Sequence, residues 1–247
     1  TSLTTCRVPP RIPRTDWSVR LQEFRLNTPD EQTADDCDRH RAGRRDEILI
    51  AATHLFAQHG YNDADTQALA DKLGIGKGTI YRCFPSKREL FLAAVDRAMI
   101  LLWERLEVGN QGDRDPLERV GLAVRAYLDF FADHPEFVEL LVQERALFKD
   151  RKKPTYTEHR ERHADRWRKL YFDLIASGRV RDLPVDEIRD VMNHVLYGTM
   201  FTNFFNGRVK SSECQAREIL EVVFNGILTP TAREDWRANG SGRNEST

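Results

Sequence analysis

The chain has 247 residues, 40% of them apolar and 31% charged, with 38 basic side chains against 39 acidic ones. That length suffices for one large or two small domains with a true core, and the near-balance of charge names no partner until it is divided by region. No stretch approaches the ~18 consecutive apolar residues of a membrane span and no apolar leader opens the chain, the four scattered cysteines form no CxxC pair to suggest a zinc site or redox couple, and a soluble, cytoplasmic protein is expected.

Residues 1 to 38 are rich in Pro, Thr, Asp and Arg without sustained periodicity and read as a disordered extension. Behind them almost everything reads as helix, with no strand alternation and no hairpin signal. From Asp46, the residues Ile48, Leu49, Ala52, Leu55 and Phe56 mark an amphipathic face that ends at Gly60. Asp65 can cap a short helix whose Leu69, Ala70 and Leu73 turn inward before Gly74, and a shorter one follows from Lys77 to Cys83. Ser86 and Glu89 have the spacing of a capping box and open a long helix through Leu102. Asp115-Pro116-Leu117-Glu118 starts the next, with Pro at its first position, and His134-Pro135 breaks it into a helix that reaches Phe148. Three more are expected from Tyr156 to Ser177, Val185 to Asn206 and Ser212 to Leu228, stopped by Gly178, Gly207 and Thr229-Pro230. The last residues, 232 to 247, read as a flexible tail. The expected fold is therefore all-α: nine helices, divided into a three-helix head over residues 39–92 and a larger helical body over residues 93–231.

The stretch LGIGKGTIYRCFPSK, residues 73 to 87, has the glycines and lysines of a phosphate-binding loop but not the spacing. A Walker loop needs GxxxxGK[ST] between a strand and a helix; here Gly76-Lys77 is followed by Gly78, and the preceding segment is helical. Gly74, Gly76 and Gly78 give GxGxG, not the dinucleotide GxGxxG. A helix-turn-helix fits the same residues. Gly74 supplies the left-handed turn, small residues let the second helix approach a duplex, and Ile75 and Ile80 point back to the core. Lys77, Thr79, Tyr81 and Arg82 are left outside as donors to phosphates and base edges, and Lys87 stands at the N-terminus of the next helix, where a phosphate is favoured. Residues 39–92 carry nine basic side chains against six acidic ones, so the head is positive while the remainder is negative.

The run RRDEILIAATHLFAQHGYNDADTQALADKLGIGKGTIYRCFPSKRELFLAAV resembles the N-terminal domain of the TetR family of transcriptional regulators. It shares that family's I-x-x-A-A-x-x-L-F-x-x-x-G-Y helix, its G-[IV]-x-K-G-T-[IL]-Y-x-x-F turn and helix, and S-K-x-x-L-F opening the fourth helix. The resemblance implies a ligand-responsive repressor that binds a palindromic double-stranded operator as a homodimer, with an unknown small molecule as effector. By position it implies DNA contacts from Thr66, Gln67, Lys77, Gly78, Thr79, Tyr81 and Arg82, Lys87 on a phosphate, and Arg44 and Arg45, just before the first helix, on the backbone or minor groove. It also implies a dimer bundle from the last two helices, supplied by Val191, Val195, Leu196, Tyr197, Met200 and Phe204 with Ile219, Val222, Val223, Phe224 and Ile227. Two positions depart from the pattern: Gly76 stands where Ser is common and removes a possible cap, and Cys83, where His or Tyr is common, reads as a smaller, partly buried substitute. The alternative, a helical small-molecule-binding or scaffold protein without DNA binding, would have no use for an outward Lys77, Thr79, Tyr81 and Arg82 on a tight glycine turn.

Other candidates are weaker. Trp103, Phe130, Phe131, Phe137, Trp167 and Phe172 are scattered over the middle helices, and each is either a ligand contact or plain core. His159 and His163 share a helix face at i, i+4, but HxxxH is half a ligand set, and TEHRERHADR reads as a solvated charged face; no metal or cofactor is expected. Tyr197, Phe201, Phe204 and Phe205 form an aromatic stripe that suits core or dimer seam. No nucleophile–base pair or carboxylate dyad stands at a suggestive spacing, so no catalytic residue and no enzyme is expected.

Overall fold

A computed structural model describes residues 34–108, 114–208 and 210–226 of the chain. The extension and tail expected over residues 1–38 and 232–247 lie outside these residues except for 34–38, which are helical, and Ile227 lies outside as well. Among the described residues there are ten helices and no strand: α1 Ala34–Asp63, α2 Thr66–Leu73, α3 Lys77–Cys83, α4 Lys87–Val108, α5 Pro116–Asp133, α6 Pro135–Leu147, α7 Thr155–Arg162, α8 Ala164–Ala176, α9 Val185–Asn206 and α10 Ser212–Asn225. The all-α expectation holds.

Most helix ends fall where the local chemistry puts them. Asp65 Oδ1 accepts from Gln67 N at 2.7 Å, Ser86 Oγ from Glu89 N at 3.1 Å, and Asp115 Oδ1 from Leu117 N at 2.9 Å. Each satisfies an amide that the first helical turn leaves without a partner. Two boundaries need correction. The first helix begins at Ala34, not Asp46, because the run ADDCDRHRAGRR contains no proline to stop it; Arg44 and Arg45 therefore lie within α1 rather than before it. The helix expected from Tyr156 to Ser177 is two, bent at His163 with φ −98° and ψ 8°. That bend wraps the chain around α4, where His159 bonds Asp96 at 2.6 Å and His163 stacks on Trp103 with centroids 4.2 Å apart. His159 is buried and so stands apart from the expected solvated charged face, which Glu161, Arg162, Asp165 and Arg166 do form.

Helix α4 organises the packing. It lies against α1, α5, α6 and α7, while α5 packs on α9 and α10 at the far side. In the head, Ile48, Leu49, Ala52 and Phe56 of α1 close over Leu69, Ile80, Leu90 and Phe91. Head and body meet in an aromatic group. Phe91 is edge-on to Phe56 at 5.1 Å and to Tyr61 at 5.4 Å, and Phe148 stands 5.0 Å from Tyr61. Alongside, Gln143 of α6 donates to the Phe56 carbonyl at 3.0 Å. Gly60, at φ +75°, turns α1 so that Tyr61 can enter this group, a conformation an L side chain resists.

At the other end, α9 and α10 are tied by Asn203 and Gln215, whose amides bond reciprocally at 2.9 and 2.8 Å. Met200, expected in a dimer seam, is instead core: it is 2% exposed and accepts from Tyr127 Oη at 3.6 Å. Val195, Phe204, Ile219 and Val223 are half-buried. The most open apolar side chains here are Val191, Tyr197 and Phe205 on α9 and Val222 and Phe224 on α10, and all but Phe205 are among those expected for the seam.

The aromatic junction predicts that Phe91→Ala lowers unfolding free energy by about 3–5 kcal/mol, the range for emptying a buried aromatic site. Urea titration followed by circular dichroism measures it, and a loss under about 1 kcal/mol would show that the junction is not a single packed unit.

Candidate nucleic-acid interface and internal cavity

The reading surface begins with the turn. Gly74 sits at φ +63°, ψ 33°, and its N–H and that of Ile75 close onto the α2 carbonyls of Asp71 and Ala70. A β-carbon there would be strained, so the sequence has glycine. Gly76 then caps α3 in an extended conformation with no side-chain bond, the consequence of lacking Ser at that place. Ile80 is fully buried and Ile75 half-buried, which fixes the rotation of α3 and turns Lys77, Gly78, Tyr81 and Arg82 outward. A β-carbon added to Gly78 would meet nothing within 4 Å, so no packing demand of the folded chain accounts for glycine there.

The predicted contact residues do not form one uniform set. Gln67, Gly78 and Arg82 are exposed, whereas Lys77, Thr79 and Tyr81 are half-buried. Thr66 is buried at 4% exposure, and its hydroxyl meets Tyr81 Oη at 3.1 Å, so it ties α3 to α2 and is not on the exposed face. Lys87 donates to the Asn62 carbonyl at 3.0 Å and lies over the Tyr61 ring, which anchors its stem beside the head's surface. Arg45 stacks 4.5 Å over Phe84, and Arg44 pairs with Glu47 at 2.8 Å. Gln67 bonds Asp71 along α2 at 2.8 Å. Cys83 is half-buried, as the smaller-substitute reading expects.

The body contains a cavity of about 70 Å³ between α4, α5, α7, α8 and α9. Two of the six aromatic candidates, Trp103 and Trp167, line it. Phe130, Phe131 and Phe137 are core between α5 and α6, with Phe130 stacked on Phe137 at 5.6 Å, and Phe172 is 59% exposed at the surface of α8. Most of the lining is apolar: Met99, Leu102 and Leu106 of α4, Val120, Ala123 and Val124 of α5, Met192 and Leu196 of α9. Its polar groups are the phenols of Tyr127, Tyr156 and Tyr171 with Arg160, Arg189 and Asn193. Burial pushes Tyr156 and Tyr171 up to about 12 and raises Tyr127 well above the usual phenol range, so all three are neutral at ordinary pH. Burial, with the charge of His159 second, holds His163 below the usual imidazole range, which keeps it neutral against Trp103. The sequence reading missed Arg189 and Asn193. Their signal was a polar pair at i, i+4 on the same stripe of α9 as Met192 and Leu196.

Comparison with known proteins bears on both parts. Residues 48–94 match the family described as "Bacterial regulatory proteins, tetR family", and residues 113–199 match "Tetracyclin repressor-like, C-terminal domain". The chain is 32% identical over 103 residues to the HTH-type transcriptional activator FasR of Mycolicibacterium smegmatis, covering 42% of this chain and 47% of that one. It is 27% identical over 125 residues to the nucleoid occlusion factor SlmA of Mannheimia succiniciproducens, covering 50% and 58%. The chain thus spans about half the length of the curated relatives it matches. Among solved structures, the regulator FadR from Bacillus subtilis in complex with stearoyl-CoA superposes with TM-score 0.62 at 20% identity, over 74% of this chain and 98% of that one. PfmR from Thermus thermophilus, a TetR family transcriptional regulator, gives 0.60 at 22%, over 74% and 99%.

The two outward glycines separate by mutation. Gly74→Ala should cost about 1–2 kcal/mol for its left-handed φ, whereas Gly78→Ala, inside α3 and in open space, should raise stability by about 0.5–1 kcal/mol. Denaturant titrations of both variants check this, and a destabilised Gly78→Ala would mean that the outer face of α3 is packed.

Proposed function

Because the chain belongs to the tetR family of bacterial regulatory proteins, we propose that it is a DNA-binding transcriptional regulator that reads a palindromic operator as a homodimer and answers to a small molecule in its body. The observation that carries this reading is the helix-turn-helix. A left-handed Gly74 turn and a buried Ile80 present Lys77, Gly78, Tyr81 and Arg82 on one outer face. Lys77 and Arg82 would neutralise phosphates, while Gly78 lets α3 come close to base edges. The proposed sign is repression. A dimer seated across a promoter blocks polymerase by exclusion alone, whereas activation requires a further contact with polymerase.

Dimerisation through α9 and α10 is supported by the stripe Val191, His194, Gly198, Thr202 and Phe205, exposed at i, i+3, i+7, i+11 and i+14 along α9. Gly198 and Thr202 are small enough for a second helix to approach between the two apolar ends, and Val222 and Phe224 extend the patch on α10. Two heads so joined would engage half-sites one or more helical turns apart, roughly 34–36 Å for one turn.

Effector response is supported by the position of the cavity. At about 70 Å³ it is a fraction of the ~300–1,000 Å³ of typical ligand pockets, so a ligand of more than a few heavy atoms must part its walls. One of those walls is α4, whose first turns are part of the head's core.

Fluorescence anisotropy with labelled DNA from upstream of the gene, over a series of salt concentrations, tests the DNA reading. Wild type should bind with a steep salt dependence; Lys77→Ala should flatten the slope by about one unit per head. Gly78→Ala should weaken binding despite its added stability. Equal binding by wild type and a Lys77→Ala, Arg82→Ala double variant would refute the proposal.

A further inference from the structure

The cavity carries a chemical asymmetry that its apolar lining hides. Helix α9 presents Arg189 and Asn193 to it, one turn apart. The Nε and Nη1 atoms of Arg189 and the Nδ2 of Asn193 are all buried without a hydrogen-bond partner. The remaining nitrogen, Nη2, is held by Asp186 at 3.2 Å, with Asp190 at 3.8 Å; these two carboxylates orient the guanidinium and leave its other donors unmet. A guanidinium is charged at any ordinary pH and accepts no hydrogen bond, so only an acceptor can satisfy it. Leaving such donors dry is costly, more so for a charged group than a neutral one. Arg160 of α7 also lines the cavity, and among the described residues that line it none is acidic.

From this geometry we infer that the effector is an amphipathic anion: an apolar chain that ends in an oxyanion, held by Arg189 and Asn193. The inference rests on the reading of the cavity as the effector site. The chain lies along Met99, Leu102, Leu106 and Val124, where dispersion and desolvation favour methylene groups. Its head supplies the acceptors that Arg189 and Asn193 lack. Arg189 sets the sign of the charge, since a cationic head would meet two arginines and no lining carboxylate.

The test uses the purified full chain and the fluorescence of Trp103 and Trp167 as reporter, with four probes of equal length below their micelle concentrations: octanoate, octyl phosphate, 1-octanol and octyltrimethylammonium. At least one anion should bind about 10-fold or more tighter than octanol, the factor a charge-assisted hydrogen bond supplies; which of the two does so tells carboxylate from phosphate. The ammonium should bind no better than octanol. Arg189→Gln should bring the anion to within about 3-fold of octanol and leave octanol unchanged. Asn193→Leu, which spares the Asp186 contact, should lessen the same preference. Octanol binding as tightly as both anions, no binding of either anion, or an anion preference that survives Arg189→Gln would each overturn the inference. The wild-type comparison needs no variant to fold. The readout contains no DNA, so DNA binding without anion preference counts against this inference alone, and anion binding that leaves DNA affinity unchanged counts against the effector reading of the cavity.

Discussion

One helix has to satisfy two cores. Helix α4 has 22 residues, about 33 Å of rigid rod. Leu90, Phe91, Ala94 and Val95 complete the hydrophobic interior of the head, while Met99, Leu102, Trp103 and Leu106 wall the cavity. No loop or glycine interrupts it between those sets, so a shift imposed at one end is not absorbed before the other. The junction around Phe56, Tyr61, Phe91 and Phe148, with Gln143 on the Phe56 carbonyl, keeps the first half of α4 from sliding against α1. His159 on Asp96 holds the middle of α4, and His163 on Trp103 its second half, where α7 gives way to α8.

The head itself is small, and its recognition helix is held lightly. Helix α3 packs chiefly on α2 and keeps its angle through three devices: the Gly74 turn, the burial of Ile80, and the bond between Tyr81 and Thr66. Each is local, and each fixes one degree of freedom: direction, rotation and tilt. The residues left over for a duplex are then few, which is why a glycine with nothing around it is informative. At Gly78, in the first turn of α3, no neighbour within the described chain needs the space that glycine leaves.

Much of this was legible in the sequence because it is written in local chemistry. Asp65, Ser86, Asp115 and Gly207 mark their helix ends by side-chain type or backbone freedom, and the structure uses them there. The spacing of Gly74, Lys77, Ile80 and Tyr81 was enough to tell a helix-turn-helix from a phosphate loop. What could not be read was anything decided by the third dimension. Thr66 looks like an exposed hydroxyl at a helix start, yet it is buried under Tyr81, fifteen residues on. Met200 and Phe172 exchange their expected places, core for surface, because the apolar positions of α9 and α8 exceed one face and periodicity does not say which is covered first. The helix expected to run through His163 bends there because its partners, Asp96 and Trp103, lie sixty or more positions away. Arg189 and Asn193 were hidden for the same reason: a polar pair on a helix reads as surface until the walls around it are known.

The most direct test of coupling through α4 fills the cavity without a ligand. Ala123 lines it from α5 and has no part in the head, so Ala123→Phe presses on the walls from within. Fluorescence anisotropy of upstream DNA should show affinity changed by about 5-fold to 150-fold, the usual range for coupled sites, in a variant whose circular dichroism remains that of a folded helical protein. Unchanged affinity in such a folded variant would contradict the coupling.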